Sequence, residues 1–438
     1  MVQMPAAEIQ SHAYWLDQLG PPPVLSRELP GKVDVLVIGS GYTGLNAAIE
    51  CARGGRSTLV IDTNEPGFGC STRNGGQIST SVKPSLGELA SKFGETRARA
   101  IRNEGQNALS WISDFVEREG FDCDFRRVGR YHAAHTPEQY ETLTRDSERM
   151  RAQEGIESFA VTRSEQRREM GTDAYYGGVV YPHHCSVHPA KLHREYLRLA
   201  LAAGATVIGN CAATGITKTA TGFRVQTALG TVDARDVVMA TNGYTGNLVP
   251  WLQRRVIPIG SYIIVTEELP EELIDELFPT DRIASDTRKV VYYYRATPDR
   301  RRILFGGRVS SSETNATQSA PRLYDIMCRI FPQLSGCKVS HAWSGTVAYS
   351  FDEMAHTGVH DGIHYAMNYC GSGVSMAGYL GMRTGQKILG LAEGQTAFDG
   401  LPNATRPLYT GKPWFLPMAV AYYRWKDDQE SRKAAAMS

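Results

Sequence analysis

The sequence predicts an α/β fold in which one domain, built on a parallel sheet, is assembled from separated stretches of chain. A second domain, α+β in character, is built on an antiparallel sheet. Three observations predict this. Residues 33–38 form an almost unbroken apolar run that ends in glycines and leads into a helical pattern. Segments near 128–135, 178–181 and 290–305 alternate or carry β-branched and aromatic residues. Strand-like, glycine-punctuated stretches then return at 206–240 and 363–367. A strand apolar on both faces belongs inside a parallel sheet, whereas alternation marks a sheet with two unlike faces.

At 438 residues the chain exceeds one ordinary core and predicts two domains. Hydrophobic residues make up 42% and charged residues 21%, a soluble globular balance. With 47 Lys+Arg against 46 Asp+Glu the net charge is +1, so no overall field favours nucleic acid or an anionic membrane. The first 20 residues lack a basic stretch followed by an apolar one, and no segment approaches the roughly 18 uninterrupted apolar residues of a span. The expectation is a cytoplasmic protein with a small-molecule partner, no nucleic acid and no membrane. No segment specifies an oligomeric state. Eight scattered cysteines, with no CxxC pair and no accompanying histidine spacing, predict free thiols and no metal site. The adjacent His183 and His184 lack a third ligand, and His188 before Pro189 reads as structural.

Element by element, residues 1–30 read as an extended arm because they end in Pro21-Pro22-Pro23 and Pro30-Gly31. The strand at 33–38 follows, then Gly39-Ser40-Gly41-Tyr42-Thr43-Gly44, a helix carrying Leu45, Ala48 and Ile49, and a second strand at 58–61 closed by Asp62. Helices are predicted over 86–120, 137–155 and, after a proline start, 189–203. Short strands between 206 and 240 and a strand at 363–367 return to the first domain, followed by a helix from Ser375 to about Gly390. The predicted limits are 31–83, 186–250 and 336–410 for the first domain and 84–185 and 251–335 for the second. Residues 411–438 form a C-terminal segment ending in a polar, frayed tail.

The glycine pattern carries chemistry. Gly39 permits the tight turn, Gly41 lets backbone N–H groups approach a pyrophosphate, and Gly44 lets helix and strand pack closely. Asp62, 18 positions after Gly44 with Thr63 beside it, stands where its carboxylate would accept hydrogen bonds from ribose hydroxyls. Taken alone these residues predict a Rossmann-like dinucleotide site and leave FAD or NAD open.

The next segment, Gly67-Phe68-Gly69-Cys70-Ser71-Thr72-Arg73-Asn74-Gly75-Gly76-Gln77, resembles the flavin loop of the D-amino-acid oxidase superfamily, and in particular its gamma-glutamylputrescine oxidase-like branch with its GxGASGRNGGQ motif. The likeness extends through Tyr14-Trp15-Leu16, Val187-His188-Pro189, Tyr293-Tyr294-Arg295, Phe305-Gly306-Gly307, Trp343-Ser344-Gly345 and Ala421-Tyr422-Tyr423. It implies FAD as cofactor and an antiparallel-sheet substrate domain as in D-amino-acid, glycine and sarcosine oxidases. Cofactor contacts are implied for Gly39, Gly41, Tyr42, Thr43, Gly44, Asp62 and Thr63, and for Cys70, Ser71, Arg73, Asn74, Gly75, Gly76 and Gln77. Ala213 matches a position facing the adenine, and Ala240-Thr241 a segment near the cofactor.

Asn368-Tyr369-Cys370-Gly371-Ser372-Gly373-Val374-Ser375 resembles the family's GYSGHGV segment, which implies that Gly371, Gly373, Val374, Ser375 and Met376 meet the flavin at a helix N-terminus. Asn368, Cys370 and Ser372 depart from the pattern. Some relatives link the flavin through a late cysteine; the matching residue is Val347, so non-covalent FAD is implied. Arg295 matches an arginine that binds substrate carboxylate, Arg308 a position facing the substrate, and Tyr262 and Tyr293 are implied beside them. Two guanidinium groups in one pocket would suit a dicarboxylate such as iminodiacetate. The implied activity is FAD-dependent oxidation of a carboxylate-bearing primary or secondary amine to an imine, without a dedicated base, with O2 reduced to H2O2. Ser375 stands where many family oxidases carry an oxygen-activating lysine, which leaves a dehydrogenase using another acceptor, or a gamma-glutamylputrescine-type oxidase, as alternatives. A non-catalytic flavin sensor would lack the anchoring cation.

Overall fold

The computed structural model describes residues 2–308 and 315–437. Lys32–Ile38 lies at the centre of an eight-stranded sheet, hydrogen-bonded in parallel to Thr58–Ile61 on one side and Gly230–Met239 on the other. Thr206–Ile208 extends one edge in parallel; Ile363–Met367, itself paired antiparallel to His356–His360, extends the other. The hairpin Ala213–Thr219/Gly222–Thr227 joins the start of Gly230–Met239. The central strand does not alternate because both its faces are covered. Val35 and Val37 enter the core beneath helices Tyr42–Arg53 and Gly373–Ile388, while Leu36 and Ile38 enter a separate core on the other face.

The second sheet also has eight strands, in the order Val339–Tyr349, Ile257–Thr266, Ile303–Gly307, Tyr292–Ala296, Ile283–Asp286, Arg130–Ala133, Gly178–Tyr181 and Phe159–Val161. It departs from the all-antiparallel expectation at one pair, because Ile283–Asp286 runs parallel to Arg130–Ala133. Its rear face buries Tyr294, Phe305 and Tyr131 beneath helix Ala316–Ile330.

The predicted limits shift in three places. The helix expected over 86–120 is two, Leu86–Phe93 and Glu95–Arg118, divided at Gly94 with φ +78°. The longer one buries Ala98, Ile101, Ile112 and Phe115 in the core of the parallel-sheet domain, not in the second domain. Strand Val339–Tyr349, expected in the first domain, pairs along its length with Ile257–Thr266 of the second. The C-terminal segment forms helix Leu416–Met437 where a frayed tail was expected from 430. Its Asp427 carboxylate accepts the Lys289 and Val290 amides at 3.0 and 3.1 Å, and Ala434 is buried. Ser438 lies outside the described residues. The arm is pinned, since Ala13, Tyr14 and Trp15 share a small core with Ile263, Leu304 and Trp343.

Candidate active site

Strand Lys32–Ile38 delivers Gly39 to a turn at φ +108°, and Gly44 in the first turn of the helix sits so close that a Cβ there would lie 1.8 Å from the Gly39 carbonyl oxygen. Only glycine permits that approach. The turn opens on a cavity that reaches solvent. Gly39, Gly41, Tyr42, Thr43, Asp62, Thr63, Cys70, Ser71, Asn74, Ala213, Ala240, Thr241, Gly371, Gly373 and Val374 all line it. The structure thus brings together most of the residues that the sequence assigned to the cofactor. Asp62 Oδ2 accepts the Ser40 amide and hydroxyl at 2.8 and 2.7 Å, and Ser71 Oγ accepts the Tyr42 amide at 3.0 Å. His193, which the sequence did not mark, donates from Nε2 to the Ser40 carbonyl at 2.8 Å and so holds the turn from below.

Gly44, Arg73, Gly75, Gly76, Gln77, Ser375 and Met376 do not line this cavity. The loop's polar side chains bind protein. Asn74 Nδ2 donates to the Cys70 and Ser71 carbonyls while its Oδ1 accepts the Gly76 amide, and Arg73 Nε donates to the Phe68 carbonyl at 2.7 Å. Gln77 Nε2 donates to Ala284 and Tyr294 of the second sheet. These residues shape the loop and dock it rather than contribute donors to the cavity. Two buried indoles finish the anchoring: Trp343 donates to the Arg73 carbonyl and Trp15 to that of Asn74, both at 2.9 Å. Ser375 and Met376 are buried in the first turn of helix Gly373–Ile388. That helix still presents its N-terminal N–H groups and positive dipole end at Gly371, Gly373 and Val374.

The far wall comprises Tyr244, Thr346, Val347 and the turn before the helix. Asn368, Cys370 and Gly371 all take positive φ, at +64°, +51° and +98°. Asn368 tolerates this and is held by donating to the Arg255 carbonyl at 2.9 Å. Burial pushes the thiols of Cys70 and Cys370 up to about 11 and about 12, so both are neutral near pH 7. His183 pairs with Glu157 at the surface, His184 stacks on Tyr181, and His188 caps helix Pro189–Ala202 by accepting the Lys191 amide; the three stand in different places.

The residues expected at the substrate divide by strand parity. Tyr293 pairs with Gly306, and its ring stands so near that a Cβ on Gly306 would lie 2.3 Å away; its hydroxyl meets Ser261 at 3.0 Å. Gly75 of the flavin loop rests on the same ring. This face therefore looks onto the cofactor loop. Tyr262 pairs with Gly307, one residue out of phase, and is buried in the rear core with Tyr294 and Phe305, which corrects its assignment to substrate. Arg295 is corrected too. It is 4% exposed and donates through Nη1 to the Gly76 and Val187 carbonyls at 3.0 and 3.1 Å, clamping loop to sheet. Burial lowers its pKa to about 10. Arg308 ends strand Ile303–Gly307 on the Tyr293 face and donates to the Gly260 carbonyl at 2.7 Å. Arg295 pairs with Leu304, four residues earlier, so the two guanidinium-bearing positions stand about 13 Å apart along the strand.

A glycine turn feeding a helix N-terminus and an acid at the next strand's end define a dinucleotide-binding protein, with a second sheet facing the loop that follows the turn. The cradle fits FAD because its narrowest points are glycines and backbone amides while its flanks are apolar. Residues 34–386 match the family DAO: FAD dependent oxidoreductase, and the chain belongs to that family. It is 31% identical over 400 residues to the gamma-glutamylputrescine oxidoreductase of Escherichia coli (strain K12), covering 90% of this chain and 92% of that protein. Glycine oxidase from Geobacillus kaustophilus superposes with a TM-score of 0.72 at 18% identity, over 86% of this chain and 99% of that one. Iminodiacetate oxidase from Chelativorans sp. BNC1 gives 0.65 at 18%, over 82% and 95%. These likenesses bear out the expected family, fold and cofactor. Among the described residues no helix is long and apolar enough to cross a membrane.

Proposed function

We propose that the protein oxidises a primary or secondary amine bearing a carboxylate to an imine, which water hydrolyses to a carbonyl product and an amine, with O2 reduced to H2O2. The observation that carries this reading is the distribution of charge. Asp62, at the nucleotide end, is the carboxylate among the described residues lining the cavity, while the sheet face over the loop offers hydroxyls from Tyr293 and Ser261 and the cation of Arg308. With no acid beside it, an incoming amine is not held as an ammonium ion, and a nearby cation lowers its pKa toward the neutral form that oxidation requires. The chain's work is then orientation: hydroxyls and cations align the substrate's polar groups while Val347, Thr346 and Tyr244 exclude water. FAD, held without a covalent bond, supplies the two-electron acceptor. The relative named for gamma-glutamylputrescine and the neighbours named for glycine and iminodiacetate support an amine substrate.

The test is anaerobic addition of iminodiacetate, sarcosine, gamma-glutamylputrescine and propylamine to the holoenzyme, followed by air. Carboxylate-bearing amines should bleach the flavin band and yield peroxide. Bleaching by propylamine alone would refute the substrate class. Reduced enzyme that persists in air but is discharged by a quinone would make it a dehydrogenase.

A further inference from the structure

A cluster that neither the sequence motifs nor the cofactor cradle explains lies beside the Tyr293 face. Strand Arg130–Ala133 turns Tyr131 and Ala133 into the rear core and Arg130 and His132 to the front. The registers Ser285↔His132 and Ser285↔Tyr293 set these three residues in one row across adjacent strands. Arg130 Nε donates to Ser285 Oγ at 3.0 Å and Nη2 donates to the same oxygen. With its lone pairs so engaged, the Ser285 hydroxyl donates to His132 Nδ1 at 2.9 Å, which fixes His132 as the neutral Nε2–H tautomer.

Two features mark this cluster. First, Arg130 has no carboxylate partner among the described residues, and burial lowers its pKa. A guanidinium with no acid beside it is available to an incoming anion. Second, Arg130 and His132 are only half-buried by solvent access, although burial dominates the protonation of both and pulls His132 down to about 3. Partial access leaves both side chains of the cluster within reach of a small molecule. The cluster's position follows from its neighbours. Lys83, whose charge acts on His132, stands 5.4 Å from the Tyr349 ring. The Tyr349 hydroxyl lies 3.9 Å from where a Cβ on cavity-lining Gly371 would be. On the other side Tyr293 touches Gly75 of the flavin loop.

We propose that Arg130, oriented by Ser285 and His132, is the anion anchor of the substrate site and binds the carboxylate of the amine. This deepens the amine-oxidation reading and rests on it. Nε and Nη2 are turned to Ser285, with His132 Nδ1 3.4 Å from Nη2, and Nη1 makes no hydrogen bond within the described residues, so the Nη1 donors are left for a carboxylate. The anchor then sits on a strand distant in sequence from Arg295.

The test uses the FAD-loaded protein and a non-oxidisable probe pair, methoxyacetate and methoxyacetamide, titrated by calorimetry and by the shift of the flavin absorption band. Arg130→Met should weaken methoxyacetate about 10- to 100-fold, the worth of a charged hydrogen-bonded pair, and leave methoxyacetamide unchanged. Arg130→Lys should recover part of the loss. Equal affinities in wild type and Arg130→Met, no methoxyacetate binding in wild type, or an equal loss for both probes would overturn the anchor, the last by showing a merely structural role. If Arg130→Met does not retain FAD, Ser285→Ala takes its place: a loss confined to methoxyacetate supports the proposal and unchanged binding overturns it. The two readings fail separately. Arg130-dependent methoxyacetate binding without flavin bleaching by any amine would remove amine oxidation and keep the anion site, whereas bleaching by carboxylate amines undiminished in Arg130→Met would do the reverse.

Discussion

Trp343→Phe is the sharpest probe of how the flavin loop is held. The indole is fully buried and its N–H is the donor to the Arg73 carbonyl, 2.9 Å away, in the loop segment that follows cavity-lining Cys70 and Ser71. Phenylalanine keeps most of the packing against Trp15, Ile263 and Leu304 but leaves that carbonyl unpaired. An orphaned buried acceptor costs about 1–3 kcal/mol, and the missing ring atoms add about 1 kcal/mol, so the native loop position loses about 2–4 kcal/mol. Because FAD binds only the correctly placed loop, 2 kcal/mol of that loss corresponds to about 30-fold weaker binding. The measurement is quenching of flavin fluorescence on titrating apoprotein, alongside its thermal melting. Trp425→Phe, 58% exposed on the C-terminal helix, serves as the control and should change neither. Trp15→Phe, which frees the adjacent Asn74 carbonyl, should combine with Trp343→Phe non-additively by about 0.5–3 kcal/mol, since both bonds restrain one loop. Wild-type FAD affinity together with unchanged melting in Trp343→Phe would refute the idea that these indoles position the loop.

Arg295→Met should destabilise the protein by about 1.5–3 kcal/mol through loss of charged donors to the Gly76 and Val187 carbonyls, read from urea unfolding, while the preference for carboxylate-bearing over neutral amines stays as in wild type. A collapse of that preference would return Arg295 to the substrate site. Burial holds His188 and His135 at about 4 and His132 at about 3, against 6.5 when unfolded. The unfolded chain binds the extra protons, so the stability these groups contribute is complete above about pH 6.5. It falls as pH drops toward 4, by up to about 1.4 kcal/mol per pH unit for each. Urea midpoints between pH 7.5 and 5 should show the slope, and His188→Gln should flatten it; identical slopes would sink the attribution. With Val347 at the cavity wall and the neighbouring thiols neutral, acid precipitation should release intact FAD into the supernatant, and colour retained in the pellet would contradict non-covalent binding.

Much of this molecule is legible from local pattern. The unbroken apolar run around Val35, the glycines that follow and Asp62 foretold the first strand, its helix and the acid beside the cavity. Strands Gly178–Tyr181 and Ile363–Met367 fall where their β-branched residues and flanking turns placed them. Strand Ile257–Thr266 escaped because Pro258 and Gly260 interrupt its pattern, although Ile263, Ile264 and Val265 carried a signal. Its Pro258 falls where the strand is paired on one side only, to Val339–Tyr349, because its pairing with Ile303–Gly307 begins at Tyr262.

By itself the sequence determined many of the strands and helices, that a dinucleotide turn stands at the first βα junction, and that a loop of small residues follows it. Those features rest on periodicity and on the conformational demands of glycine, which act over a few residues. What only the tertiary structure decided is which face of which strand meets the cofactor. Tyr262 and Tyr293 are equally plausible as symbols, yet one residue of register sends the first to the rear core and the second to the flavin loop. Arg295 looked like an anchor until Gly76 and Val187 claimed it, and Arg130 has meaning only because Ser285, 155 residues away, is drawn beside it. A side chain's chemistry is written at its own position; its partners are set by strand pairing between distant segments, and pairing depends on packing that no local pattern encodes.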